Sequence, residues 1–201
     1  MPTEQLARLR LLLWAAVAIT IVAAGALFML SAKHQPGNST SEWKSGLGGP
    51  FTLVGTDGKP FQSSRLAGKA FAIFFGFTNC PDVCPTTLAR LVKLRARTGA
   101  PDKLSIVFVT VDPQRDSPAQ LANYVKLFDS PVIGLTGSPS QIAQVKKQFA
   151  IFSEKHGEGS NYSVDHTATV LLFDRSGQLQ STIAPDEPDS SALDKLKRLT
   201  S

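Results

Sequence analysis

The only two cysteines of the chain lie four residues apart, shortly after a continuous apolar run. This run, residues 70–77, has the composition of a strand that is buried on both faces of a sheet. Cys80 and Cys84 have the i and i+4 spacing that places two side chains on one face of a helical turn. A buried strand must therefore lead almost directly into a helix, with two thiols at the junction. Two thiols this close can form a disulfide or bind one soft metal ion.

Near the N-terminus, residues 11–30 contain no charge and are long enough to cross a bilayer as a helix. Arg8 and Arg10 precede this run, so the positive-inside rule predicts a cytoplasmic N-terminus and an external remainder. A signal peptide cleaved near residues 24–26 is the alternative, but the apolar sequence continues to Leu30 and favours an uncleaved anchor. A mitochondrial inner-membrane protein would normally carry a longer Arg- and Ser-rich presequence, which is not seen before this run. We therefore expect a bacterial cytoplasmic membrane, with the following domain on the periplasmic side.

The sequence predicts four segments. They are a cytoplasmic N-terminus at 1–10, a membrane anchor at 11–30, a flexible linker at 31–49 and one domain at 50–201. The last segment has the usual size of a single domain. The net charge of +5 is spread over the chain, and no basic cluster is interleaved with aromatic residues. We therefore expect no nucleic-acid binding.

Extended and helical patterns alternate within the domain. Residues 104–111 form a second continuous apolar run, and residues 86–98 between the two runs have apolar residues at helical spacing before Gly99. This order predicts a βαβ unit with the cysteines at its first turn. Ser117-Pro118 and Ser138-Pro139 each supply a helix cap followed by a proline at the first helical position, so each predicts a further helix.

Two hairpins and a last helix complete the predicted domain. Residues 169–173 and 179–183 flank a turn and predict an antiparallel hairpin. Residues 51–54 before Asp57-Gly58 predict a smaller one. Leucines recur on one side of residues 190–199 and predict a covering helix. The order is that of an α/β, thioredoxin-like fold with an inserted N-terminal hairpin and an extra helix, preceded by one transmembrane helix. The cysteines, however, have three residues between them, where a thioredoxin motif has two.

The three histidines are not equivalent. His34 lies in the predicted linker and His156 in a polar loop, where solvent exposure is the expected state. His166 lies just before the strand predicted at 169–173. In a thioredoxin-like fold that segment faces the cysteine turn. A lone histidine is more often structural than ligating, but His166 becomes a candidate ligand when it lies opposite two thiols.

Three motifs together resemble the SCO/SenC family. They occur in the family's order and rough spacing at residues 76–85 (GFTNCPDVCP), 109–118 (VTVDPQRDSP) and 164–167 (VDHT). Many members have tyrosine where Phe77 stands and histidine where Asn79 stands. These departures fall outside the family's ligand set and concern only local tuning of the thiols.

The resemblance implies a membrane-anchored, thioredoxin-like copper protein. Such a protein helps to assemble the binuclear copper site of cytochrome c oxidase subunit II, and Cys80, Cys84 and His166 would be its copper ligands. Two thiolates and an imidazole are a soft donor set that suits Cu(I), and they are too few for a closed structural zinc site. We also expect the helix N-terminus to favour the thiolate form of both cysteines.

Several charged residues in or near the motifs are secondary candidates for a role at the site. Asp165 is a candidate for orienting a ligand, but adjacent residues of an extended segment point to opposite faces, so a surface role is at least as plausible. Asp82 is expected to be a solvated turn residue. Asp112, Arg115 and Asp116 are expected to form a loop and the approach to a helix cap, with a structural role.

A second function is a thiol-disulfide oxidoreductase that reduces the copper-ligand cysteines of the same subunit. Cys80 and Cys84 would then be the redox-active pair, and His166 would have no evident task. A disulfide cannot bind copper as two thiolates, so the copper function needs an external reductant. The expected partners are therefore subunit II and a periplasmic thioredoxin-like reductant, and another copper chaperone is a further candidate.

Overall fold

The computed structural model describes residues 13–20, 46–159 and 162–201. The chain divides into two units, Met1–Ser39 and Thr40–Ser201, and residues 13–20 of the first are helical. Within the described ranges, no helix is both long and apolar enough to cross a bilayer. The predicted anchor at 11–30 lies outside the described residues except for 13–20, and the predicted linker at 31–49 does so except for 46–49.

Nine strands and four α-helices make up the described part of the second unit. The strands are β1 Thr52–Gly55, β2 Pro60–Gln62, β3 Ala70–Gly76, β4 Leu104–Thr110, β5 Val132–Thr136, β6 Ser153–His156, β7 Ser163–His166, β8 Val170–Phe173 and β9 Leu179–Ile183. The helices are α1 Val83–Ala96, α2 Pro118–Lys126, α3 Pro139–Gln148 and α4 Asp189–Thr200. Short 3-10 helices lie at Ser63–Leu66 and Pro101–Lys103.

Seven strands form one mixed sheet in the order β2-β1-β5-β4-β3-β8-β9. The three central strands β3, β4 and β5 are parallel, and the outer strands run antiparallel to their neighbours. The register pairs Gly76 with Thr110, so β3 and β4 end side by side. The predicted βαβ unit is confirmed, and its two strands end at the edge where the cysteines lie.

Both faces of the central strands are buried. Phe74 and Phe108 point to the face covered by α1 and α2, where Phe108 contacts Tyr124 of α2. Phe75 alternates to the other face and contacts Phe149 at the end of α3. Burial on both faces explains why β3 and β4 are continuous apolar runs rather than alternating ones.

The two predicted proline-started helices are confirmed. The Ser117 and Ser138 hydroxyls each accept a hydrogen bond from the backbone N–H three residues later, at 3.3 and 3.2 Å. The side-chain oxygens of Gln120 and Gln141 in turn accept a hydrogen bond from the backbone N–H of the capping serine, which completes a capping box at both sites. These local bonds fix where α2 and α3 begin.

Two features differ from the sequence-based prediction. The central strand β5 was not predicted because it is short, contains Gly134 and follows Pro131, a pattern typical of a loop between helices. A Cβ at Gly134 would lie 2.9 Å from the Thr56 side chain and 3.0 Å from that of Leu121 in α2, so a larger residue here would require its neighbours to shift. The polar loop expected around His156 was also wrong in part, since residues 153–156 form β6 and pair with β7.

Candidate metal centre

The cysteines lie where the chain leaves β3 and enters α1. The Cys80 N–H donates to the Phe77 carbonyl at 3.2 Å, which closes the turn after the strand. Asp82 precedes α1, and its backbone carbonyl accepts from the Thr86 N–H at 3.1 Å. Cys84 is the second residue of α1, and its N–H donates to the Cys80 sulfur at 3.4 Å. The turn therefore directs both sulfur atoms to the same side.

Gly76 lets the Cys84 sulfur pack against the end of β3. A Cβ added at Gly76 would lie 2.7 Å from Cys84 Sγ and 2.9 Å from Phe108 Cε2. Neither distance is possible for real atoms, so no other residue fits here without a shift of the thiol or the ring. Cys84 is consequently fully buried, with its sulfur held between the sheet and α1.

His166 reaches the thiols from the opposite side. It is the last residue of β7, in the separate two-stranded β6–β7 sheet, and its Nε2 lies 3.4 Å from Cys84 Sγ. One ligand atom from each of Cys80, Cys84 and His166 can be chosen so that all three lie within 4.8 Å of one another. The structure thus brings together the three residues predicted as ligands.

The hydrogen bond at the other ring nitrogen determines the tautomer of His166. Nδ1 lies 3.0 Å from the Thr167 carbonyl oxygen, which can only accept, so Nδ1 is the protonated nitrogen. In the neutral ring, Nε2 then has a free lone pair directed toward the thiols. Phe74 and Phe77 contact the imidazole at centroid distances of 6.1 and 5.8 Å in edge-to-face geometry and restrict its rotation.

The protonation state of Cys84 differs from the expectation. Burial raises the pKa of the Cys84 thiol far above its ordinary value and outweighs the lowering effect of a backbone hydrogen bond from Phe77. The expected preference of Cys84 for the thiolate is therefore wrong for the metal-free protein. The cost of desolvating an anion exceeds what the helix N-terminus returns. A bound cation supplies the missing charge, because metals bind thiols as thiolates.

Access to the cluster is one-sided. Cys84 is buried, whereas Cys80 and His166 are half-buried. The residues between the cysteines, 81–83, are exposed. A metal ion held by these three ligands would face solvent, or a docked protein, on the side of Cys80.

The two other described candidates, Asp165 and Asp82, bond to groups outside the cluster. Asp165 is exposed and lies 3.2 Å from Nε2 of His156, so it pairs across the hairpin and does not orient His166. Asp82 is exposed and accepts from the Thr86 hydroxyl at 3.1 Å, as a turn residue would. His34 lies outside the described residues.

Asp116 has a more specific role than the expected loop position. Its carboxylate is fully buried and accepts the Thr78 N–H at 3.0 Å, the Thr78 hydroxyl at 2.6 Å and the Thr110 hydroxyl at 2.5 Å. Burial raises the pKa of this carboxyl, although the three donors oppose the shift. Asp116 thereby fixes the turn that leads to Cys80. Sequence reasoning missed this link, and the motif at 109–118 was its only signal.

The donor set suits a soft, low-coordinate metal ion. Two sulfur atoms and one imidazole nitrogen are typical ligands for Cu(I) and also bind Cu(II). A structural zinc site normally has four ligands, and the described residues offer three at this cluster. The arrangement can also form a disulfide, since both cysteines are free thiols.

Comparisons with known proteins agree with this geometry. The sequence model of the SCO1/SenC family matches residues 39–201. An SCO2-like protein of Rickettsia prowazekii is 36% identical over 169 residues, which is 79% of this chain and 82% of the relative. The structure of Bradyrhizobium japonicum ScoI with copper bound is 39% identical, with a TM-score of 0.70, and the match covers 76% of this chain and 99% of that one.

A more distant solved structure is that of BsSco, described as a member of the Sco family of cytochrome c oxidase assembly proteins with a disulfide switch. It is 25% identical, with a TM-score of 0.60, and the match covers 76% of this chain and 92% of that one. Similarity to these structures over 76% of the chain agrees with the mixed α/β, thioredoxin-like architecture.

Proposed function

Because the chain belongs to the SCO1/SenC family, we propose that it binds copper through Cys80, Cys84 and His166 and takes part in the assembly of cytochrome c oxidase. The observation that supports this most directly is the convergence of the three ligand atoms within 4.8 Å. The relative from B. japonicum was solved with copper bound. BsSco supports the role in oxidase assembly through the family to which it is assigned.

The chemistry of the cluster suits a carrier of copper rather than a permanent copper site. Cys84 supplies a buried sulfur that α1 and β3 hold in place, and His166 presents a lone pair from Nε2. Cys80 lies at the accessible side, where an incoming thiolate or imidazole of a partner could replace it. Both thiols lose their protons when they bind the metal, so loading releases protons.

We further propose that the copper acceptor is the binuclear site of oxidase subunit II and that the protein acts at a bacterial cytoplasmic membrane. The uncharged run at 11–30 supports an anchor, and Arg8 and Arg10 support an external domain. A periplasmic location is oxidising, so a thioredoxin-like reductant is the partner that would return the cysteines to thiols. Another copper chaperone would be the donor.

A thiol-disulfide oxidoreductase is the second candidate function. Free thiols at Cys80 and Cys84 and the disulfide switch of BsSco both favour it. In this reaction the two thiols form a disulfide and pass two electrons and two protons to a disulfide of the acceptor, which becomes two thiols. His166 would then contribute little to the reaction.

The test is a competitive Cu(I) titration of the reduced chain under anaerobic conditions, against a chelator of known affinity. We expect one equivalent to bind and His166→Ala to weaken binding by at least about tenfold, since it removes one of three ligands. His156→Ala is the matched control, because His156 is exposed and lies on the neighbouring strand. It should bind like the parent.

The same variants separate the two functions. Equal copper affinity for the parent and His166→Ala would contradict the three-ligand site. The oxidoreductase function would be supported instead if the parent bound no Cu(I) but reduced a model disulfide, at a rate that His166→Ala did not change.

A further inference from the structure

We propose that Tyr162 and Thr78 are positioning residues. Both bond to one loop that supplies no ligand. Through this loop they hold His166 at a fixed distance from the turn that leads to Cys80, which we call the thiol turn. The loop, residues 111–117, follows β4 and lies at the edge of the sheet where the cysteines are. This inference rests on the proposed copper function for its effect on affinity. The geometry that carries it is independent of copper.

On the thiol side, the loop holds the turn through Asp116. Both carboxylate oxygens are used, one by the Thr78 hydroxyl at 2.6 Å and the other by the Thr78 N–H at 3.0 Å. Thr78 is two residues before Cys80, inside the turn closed by the bond from Cys80 to Phe77. The carboxylate is fully buried, so these bonds are not exchanged with water.

On the histidine side, the loop holds the β6–β7 hairpin through Tyr162. The Tyr162 hydroxyl donates to Asp112 at 2.7 Å, and the Arg115 guanidinium donates to the Tyr162 carbonyl at 3.0 Å. Arg115 also lies 3.6 Å from the centroid of the Tyr162 ring, with Lys155 of β6 at 3.7 Å from the same centroid. The hairpin forms its own two-stranded sheet. Its position relative to the large sheet therefore depends on contacts of this kind.

The two attachments share one rigid unit. The Asp116 N–H donates to the Asp112 carbonyl at 3.0 Å, and the Asp112 N–H donates to the Thr110 hydroxyl at 2.9 Å. The same hydroxyl donates to Asp116 at 2.5 Å. Asp112 and Asp116 thus cannot move apart without breaking buried hydrogen bonds. The distance between the thiol turn and the hairpin follows from this unit and not from contact between the ligands alone.

A double-mutant cycle tests the histidine side. Tyr162→Phe removes the hydroxyl that donates to Asp112, and we expect about a tenfold loss of Cu(I) affinity, the lower range for partners of metal ligands. In a His166→Ala background the same change should cost no further affinity, because the hairpin then has no ligand to position. Tyr124→Phe is the matched control. Its buried hydroxyl has no hydrogen-bond partner among the described residues, so affinity should not change.

On the thiol side, the same cycle should show a loss of affinity that does not depend on His166. Thr78→Val keeps the backbone bond to Asp116 but removes the hydroxyl bond, and it should weaken Cu(I) binding in the parent and in the His166→Ala background alike. Thr86→Val is the control, since Thr86 lies on the exposed side of α1 and, among the described residues, its hydroxyl bonds to Asp82 alone. Its affinity should equal that of the parent.

A readout on the metal-free protein separates this inference from the proposed function. Nitrogen NMR of labelled histidine should show His166 as one tautomer, protonated at Nδ1, in the parent, in Tyr124→Phe and in Thr78→Val. Tyr162→Phe should keep this tautomer but shift the Nε2 resonance, because the ring would move relative to the Cys84 sulfur that lies 3.4 Å away in the parent. A parent that binds no Cu(I) would contradict the copper function while this measurement still tests the positioning. An unchanged His166 Nε2 resonance in Tyr162→Phe, or a loss of affinity from Tyr162→Phe that is equal with and without His166, would overturn the inference.

Discussion

Gly76 is the position at which the Cys84 sulfur packs directly against the end of β3. We predict that Gly76→Ala displaces the Cys84 sulfur and the Phe108 ring, because the new Cβ would lie 2.7 and 2.9 Å from them. Overpacking of this kind costs about 1–3 kcal/mol. Denaturant unfolding should therefore show a lower free energy of unfolding, and Cu(I) affinity should fall with it.

Gly46→Ala is the control for that substitution, since a Cβ at Gly46 meets nothing within 4 Å and its φ angle is not in the left-handed region. It should leave both quantities unchanged. A Gly76→Ala protein with the stability and the copper affinity of the parent would contradict this account, because it would show that a methyl group fits beside the Cys84 sulfur.

At the residue scale, the sequence was sufficient to predict Cys80, Cys84 and His166 as candidate ligands. Their chemistry is specific, and the order of motifs placed them in one fold. The buried bond between Asp116 and Thr78 was not predicted, because it joins residues 38 positions apart and depends on where two loops meet. The preference of Cys84 for the neutral thiol was missed for a similar reason. Burial of a side chain is a tertiary property that local helix geometry does not report.

Among the elements, the turn between β8 and β9 depends on one carboxylate. Burial alone would raise the pKa of Asp174, but hydrogen bonds from Ser176, Gln178 and Gln180 outweigh it and hold the pKa below its ordinary value. A group whose pKa is lower in the folded state stabilises the fold above its unfolded pKa, here about pH 4. That contribution is lost as the pH falls through the folded pKa.

We therefore predict that Asp174→Asn lowers the free energy of unfolding by about 1 kcal/mol at pH 7, the difference between charged and neutral acceptors. The gap between parent and variant should close as the pH falls below 4 in denaturant titrations at several pH values. Asp57→Asn, at the β1–β2 turn where the side chain accepts one backbone bond from Lys59, should show a smaller effect. A pH-independent gap for Asp174→Asn would contradict this account.

The helix caps give a second prediction at this scale. Ser138→Ala should cost about 1 kcal/mol of stability, because it leaves the Gln141 N–H without its side-chain acceptor. Thermal unfolding of this variant beside Ser190→Ala, an exposed serine in the first turn of α4, measures the effect. Equal melting temperatures for the two variants would show that the cap contributes nothing.

These caps also explain which elements were predictable. A capping box is encoded by residues three apart, so α2 and α3 could be located from sequence alone. The strand β5 has only five residues, and its pairing partners β4 and β1 are distant in sequence. The strand β6 is polar and largely exposed and was interpreted as part of a loop. Short strands are defined by their partners more than by their own composition.

At the scale of the whole molecule, the described core and the candidate site belong to the unit Thr40–Ser201. Leu47 packs against this core, and the Gly48 N–H donates to the Gln148 carbonyl at 2.7 Å, so residues 47 and 48 are packed with this unit. We predict that a chain starting at Thr40 retains the circular dichroism spectrum, the melting temperature and the copper stoichiometry of the second unit in the full chain. Loss of copper binding in a chain that folds normally would mean that the N-terminal segment contributes to the site.

The account as a whole depends on one ligand set, two sulfurs and one imidazole nitrogen on a single copper ion. Copper K-edge X-ray absorption of the full chain loaded with one equivalent of Cu(I) measures that set directly. We predict two sulfur scatterers and one nitrogen scatterer for the parent, and loss of the imidazole signal in His166→Ala but not in His156→Ala. A parent spectrum fitted by sulfur alone, or one unchanged by His166→Ala, would contradict the assignment of His166 and with it the proposed copper site.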